Sequence, residues 1–146
     1  MLERVKRWIG RLGERRPRYI YREWLRLELT EAGFRALDTR DAGEDGEATL
    51  QHEVTWADVR AVRTFKRDLF AYDAICVAFQ MVGDDDGDWV EIDETNPGFD
   101  DVTGRMRERF PTVPDGWYSD VMLPPFATND ALLYARDPGD GEWPHE

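Results

Sequence analysis

From Leu25 onward the chain alternates, with Leu25, Leu27 and Leu29 on one side and Arg26 and Glu28 on the other, the period-two pattern of a half-buried strand. Thr30-Glu31-Ala32-Gly33 supplies a turn, and Phe34-Arg35-Ala36-Leu37 returns as its hairpin partner. Residues 38–47 have no apolar period and read as an exposed loop. Leu50–Val54 predicts another short strand. Thr55–Val59 predicts a single helical turn that buries Trp56 and Val59, and Ala61–Asp68 a further strand. Ile75, Val77, Phe79 and Met81 alternate with Ala74, Cys76 and Ala78, so this strand is apolar on both faces and belongs at the centre of a sheet. A turn over Gly83–Asp88 leads to its antiparallel return, Trp89–Ile92.

The period then changes. After Asn96-Pro97-Gly98, the residues Phe99, Val102, Met106 and Phe110 recur at helical spacing. Asp100 and Asp101 stand in the first turn and Arg105, Arg107 and Arg109 toward the end, the charge order that the helix dipole favours, and Pro111 stops the helix. Pro111, Pro114, Pro124 and Pro125 punctuate a stretch that reads as irregular structure laid over the core, before a last strand from Ala131 to Arg136 at a sheet edge. At the other end, Leu2, Val5, Trp8, Ile9 and Leu12 form one stripe with Arg4, Lys6, Arg7 and Arg11 on its flanks, a short basic amphipathic helix. The expected organisation is therefore an N-terminal helix or arm over residues 1–18, one α+β domain over 19–136 and a flexible acidic tail over 137–146. Its sheet is expected to be single, antiparallel and strongly bent or barrel-like, with six to seven strands and one packed helix.

Charge refines the picture. The 146 residues carry a formal −12, yet residues 1–18 alone hold seven basic residues against two acidic, so the rest carries −17. Asp84 to Asp101 contains nine acids and no base. Such a balance speaks against duplex nucleic acid as a partner, since that affinity comes mainly from lysine and arginine neutralising phosphates. It suits a protein partner with a basic surface, met by Asp84, Asp85, Asp86, Asp88, Glu91, Asp93 and Glu94. The N-terminal stripe, Arg4, Lys6, Arg7, Trp8 and Arg11, is instead suited to anionic membrane surfaces.

Candidate chemistry is sparse. Asp84-Asp85-Asp86-Gly87-Asp88 spaces oxygens as a calcium loop does, but the sixth and twelfth positions hold Trp89 and Thr95 where such loops need Gly and Glu. An Asp- and Gly-rich hairpin turn explains the same residues. Asp73 and Glu94 are the best placed isolated carboxylates, with salt bridges to Arg60, Arg63 or Arg67 as the structural reading. His52 has no partner motif, Ser119 is the sole serine, and Cys76, the sole cysteine, reads as a small buried hydrophobe in a reducing compartment. Arg60, Arg63, Lys66 and Arg67 around Phe65 could form a single-stranded nucleic-acid platform, but pairing with neighbouring acids is the simpler expectation. No nucleotide-binding, hydrolase or zinc spacing occurs and no stretch spans a membrane, so the expectation is a cytoplasmic, non-enzymatic chain without a cofactor.

The hairpin Leu25–Leu37 with Gly33-Phe34 at its turn, the segment Val54-Thr55-Trp56-Ala57-Asp58-Val59, the strands through Phe79 and Ile92, and the helix Phe99–Phe110 together resemble bacterial pleckstrin-homology-like domains, GRAM-type modules included. The resemblance implies a barrel-like or strongly bent sheet capped by a helix and used for binding rather than catalysis. Members that bind phosphoinositides carry basic residues in the first hairpin loop, where this chain has Thr30-Glu31-Ala32-Gly33. Trp117–Arg136, with Leu123-Pro124-Pro125-Phe126-Ala127, resembles a block shared within a bacterial family to which no activity attaches. The composition and this resemblance support protein–protein binding through an acidic surface or a sheet edge. The alternative is an immunity protein that neutralises a basic toxin such as a nuclease, and a third is a peripheral membrane protein held by residues 1–16.

Overall fold

The computed structural model describes residues 24–40, 47–68, 73–82, 88–124 and 129–142. Among the described residues seven strands form: β1 (Leu25–Leu29), β2 (Gly33–Asp38), β3 (Thr49–Thr55), β4 (Val59–Asp68), β5 (Asp73–Met81), β6 (Asp88–Asp93) and β7 (Ala131–Ala135). Two helices follow β6, α1 (Phe99–Arg109) and α2 (Trp117–Met122), and a 3-10 turn, Trp56–Asp58, separates β3 from β4.

The strands do not make one bent or barrel-like sheet. They make two antiparallel sheets, β1-β2-β3 and β6-β5-β4-β7, and neither closes on itself. The reason lies at Trp56. There the chain leaves the β3 ladder and drives the indole inward, with ring centroids 5.5 Å from Phe34, 6.1 Å from Phe79 and 6.0 Å from Phe110. With that corner between them, β3 and β4 belong to different sheets, and β3 keeps Thr49 to Glu53 exposed on both faces. On the far side, β1 meets a turn and not a strand, its Leu27 N–H donating to the carbonyl of Pro97 at 2.7 Å.

One apolar core lies between the sheets. Leu25, Leu27, Phe34, Ala36 and Val54 come from the first, Val62, Ile75, Val77, Phe79, Val90, Ile92 and Leu133 from the second, and α1 and α2 add Phe99, Val102, Met106, Trp117 and Val121. Leu29, expected on the inner side of β1, is 37% exposed at the strand end. β5 is central as its two apolar faces require, with β6 on one side and β4 on the other.

Helix α2 corrects a second expectation, because the proline-punctuated stretch is not wholly irregular and the described residues of the domain carry two helices instead of one. Six residues cannot hold a helix by their own hydrogen bonds. Burial of Trp117 and Val121 one turn apart holds it, and two side chains receive its C-terminal carbonyls: Lys66 Nζ donates to the Met122 carbonyl at 2.8 Å, and Asn129 Nδ2 to that of Val121 at 3.0 Å. Residues 137–142, expected as the start of a loose tail, are fastened to the sheet, with Asp140 and Gly141 buried. The N-terminal amphipathic helix lies outside the described residues.

Candidate functional site

The end of β6 shapes a cleft. Asp93 is fully buried, and its Oδ1 accepts from the Thr95 N–H at 2.8 Å and from the Thr95 hydroxyl. Asn96 reaches back, its Oδ1 accepting from the Asp93 N–H at 2.9 Å, while its carbonyl accepts from the Phe99 N–H at 3.0 Å. These bonds end the strand and set the first turn of α1. Gly98 completes the turn at φ 93°, against β1, where a Cβ would fall 2.1 Å from the Leu27 carbonyl oxygen. The resulting open cleft, of about 570 Å³, is lined by residues 94–101.

Three carboxylates line it, Glu94, Asp100 and Asp101, and the last two are exposed. Glu94 is half-buried and tied on both oxygens: Oε1 accepts from the Ile75 N–H at 3.1 Å and Oε2 from the Tyr118 hydroxyl. Burial pushes the Tyr118 phenol up, and the negative charges of Glu94 and then Asp100 push it further, so at neutral pH it is a protonated donor. The cleft thus offers carboxylates to a cation, one of which, Glu94, already accepts from the Tyr118 phenol and the Ile75 N–H.

On β4, the basic residues around Phe65 are turned to acids of the same chain. Arg60 pairs with Asp140 at 2.6 Å, Arg63 with Asp130 at 2.9 Å, Lys66 with Asp73 at 3.3 Å and Arg67 with Glu91. The pairing is as the sequence led one to expect, although Asp73 takes Lys66 and not an arginine, and Glu94 takes a tyrosine. The Arg60 guanidinium holds the Asp140 carboxyl below the usual carboxylate range, whereas burial holds that of Asp130 above it despite Arg63.

The acids proposed from sequence as one face are therefore dispersed. Asp84, Asp85 and Asp86 lie outside the described residues, between β5 and β6 in the sequence, and the backbone of Asp88 pairs with Met81. Glu91 and Asp93 point into the structure, 2% and 0% exposed. Glu94 opens the cleft at the other end of β6. Of the residues named from sequence, the structure brings Glu94 together with Asp100 and Asp101, which had been read only as helix-start acids. Tyr118 was missed altogether, since a contact across 24 residues leaves no local signal. Arg4, Lys6, Arg7, Trp8 and Arg11 lie outside the described residues, and among the described residues no cluster of three metal-ligating side chains occurs.

No protein-family model matches this sequence, and no curated protein or solved structure is similar to it.

Proposed function

We propose that this chain is a binding module for a protein with a basic surface, engaged through the cleft formed by Glu94, Asp100 and Asp101. The observation that carries the reading is the fate of the body's cations. Along β4, Arg60, Arg63, Lys66 and Arg67 are each committed to a carboxylate of the same chain, as are Arg26, Arg35 and Arg40 around the first sheet. Asp100 and Asp101 at the start of α1 face solvent, and their charge would draw in a positively charged partner and be weakened by salt. A guanidinium or ammonium entering the cleft meets two exposed carboxylates and the oxygens of a rigid turn. None of this requires catalysis or a cofactor.

The test is affinity capture from the cells that make the protein, at low and high salt, with the unaltered chain and with Asp100→Asn/Asp101→Asn. Both side chains are exposed, so the fold is expected to survive. The reading expects a lysine- and arginine-rich protein captured at low salt, lost at high salt and depleted by the double variant. Capture indifferent to salt and to the variant would refute it. Should the captured protein be a basic nuclease whose activity the chain suppresses, the module is an immunity protein.

A further inference from the structure

The outermost strands of an open sheet carry N–H and C=O groups that no ladder uses, and such edges invite pairing unless another part of the chain meets them. Three of the edges here are met in that way. On β1 the Leu27 N–H is taken by the Pro97 carbonyl at 2.7 Å. On β6 Asn96 takes both backbone groups of Asp93, its Oδ1 accepting from the N–H at 2.9 Å and its own N–H donating to the carbonyl at 3.0 Å. On β7 the Leu133 carbonyl accepts from the Thr112 hydroxyl at 3.3 Å.

The edge of β3 is different. It pairs with β2, and among the described residues no strand lies on its other side. Thr49 to Glu53 are all exposed, a length of about 17 Å. Where the strand ends, the Trp56 N–H donates to the Ala32 carbonyl at 3.0 Å, so alternation along the ladder turns the backbones of Val54 and His52 toward Phe34 and Ala36 and that of Glu53 outward. Across the irregularity between Ala36 and Leu37 the count restarts. The Thr39 N–H donates to the Trp24 carbonyl on the β1 side, so Asp38 faces Thr49 and the backbone of Leu50 also points outward.

Charge selects the occupant. Residues 47–59 hold Glu47, Glu53 and Asp58 and no lysine or arginine. Lysine and proline are the usual guards of an edge that stays single, and β3 has neither. A second copy would bring two acid-only segments together, whereas a strand carrying cations sets opposite charge beside Glu53, the cross-strand arrangement that stabilises a sheet. We infer that the outer edge of β3 receives an extended, lysine- or arginine-bearing segment of a partner protein as a fourth strand of the first sheet. This surface is separated from the cleft of Glu94, Asp100 and Asp101 by β2 and β1. Main-chain hydrogen bonds supply its affinity and alternate side chains its selectivity.

The test pans displayed random peptides of about seven residues, the span of β3, on the unaltered full-length chain and follows the enriched peptides by amide shifts. Enriched sequences are expected to alternate lysine or arginine with β-branched or aromatic residues and to move the amides of Leu50 and Glu53. N-methylation of the best peptide at alternate residues, which removes its donors on one side, is expected to weaken binding about tenfold or more, and so is Leu50→Pro, which closes the edge. Glu53→Lys is expected to weaken it about fivefold and to reduce its dependence on salt. If Leu50→Pro does not fold, the N-methylated peptide on the unaltered chain decides. A library without enriched peptides, peptides that shift Asp100 and Asp101 but not Leu50 and Glu53, or binding indifferent to N-methylation overturns the inference. So does a dimer of the chain alone that Leu50→Pro abolishes, which would assign the edge to a second copy.

Discussion

A β-carbon at position 98 would strike the Leu27 carbonyl, in a backbone conformation that L residues rarely adopt. Gly98→Ala is therefore expected to cost about 3 kcal/mol or more, read as a lowered urea midpoint. Gly104 is the contrasting case. It sits within α1 with open space around it, so Gly104→Ala is expected to gain about 0.5–1 kcal/mol by the same measurement. Titration acts at single residues too. Asp140 and Asp38 are held low in the folded chain, chiefly by hydrogen bonds from Arg60 and Arg40 respectively. A carboxyl whose folded pKa is depressed contributes stability above its unfolded value of about 3.9 and loses it as pH falls through the folded value. Asp130, held high by burial, contributes with the opposite sign. Denaturation midpoints should fall from pH 6 to pH 3, and the fall should be shallower in Asp140→Asn.

At the scale of the element, α2 is held by side chains that lie far from it in sequence. Lys66 is 5% exposed, and its ammonium serves both Asp73 and the carbonyls that end the helix. Lys66→Ala leaves a buried carboxylate without its cation and is expected to lose about 3–5 kcal/mol, while Asn129→Ala is expected to lose about 1–2. Proteolysis near Met122 should accelerate in both. The same dependence explains what the sequence could and could not announce. Strands β1, β2 and β5 and helix α1 wrote themselves in local periodicity, and the positions of Leu25, Phe34, Phe79, Val102 and Met106 followed. Helix α2 has two inward positions a turn apart between prolines, too little for a period to be seen. The candidate cleft was half legible: the acids were visible, but their sorting into buried Glu91 and Asp93 and open Asp100 and Asp101 depends on strand register and on a turn made by Asp93 and Asn96.

Across the whole molecule the two sheets share one hub. Trp56 touches Phe34 of the first sheet, Phe79 of the second and Phe110 after α1. Removing it in Trp56→Ala is expected to cost about 3–5 kcal/mol and to lower the stability of both sheets together, so that near- and far-ultraviolet circular dichroism still lose signal in one coincident transition. Trp56→Phe should cost far less, since the indole N–H is buried without an acceptor among the described residues and its loss removes a desolvation penalty. Such a hub also explains why a barrel, which sequence order alone permits, does not close: the corner that seats Trp56 takes β3 out of reach of β4.

The pairing of β7 with β4 has a consequence for the order of assembly. The first sheet is made of strands consecutive in the chain, joined across three residues between β1 and β2 and ten between β2 and β3. The second is completed only when Ala131–Ala135 returns to lie against Ala61–Thr64, a contact across about 70 residues of chain. Loop-closure entropy is lost before such a distant pairing is rewarded, so β1–β3 gain structure early and β7 arrives last. During synthesis on the ribosome, the open edge of β4 must wait until Ala131–Ala135 has emerged. In that interval it is the place most open to a stray strand, from another nascent chain or from a chaperone.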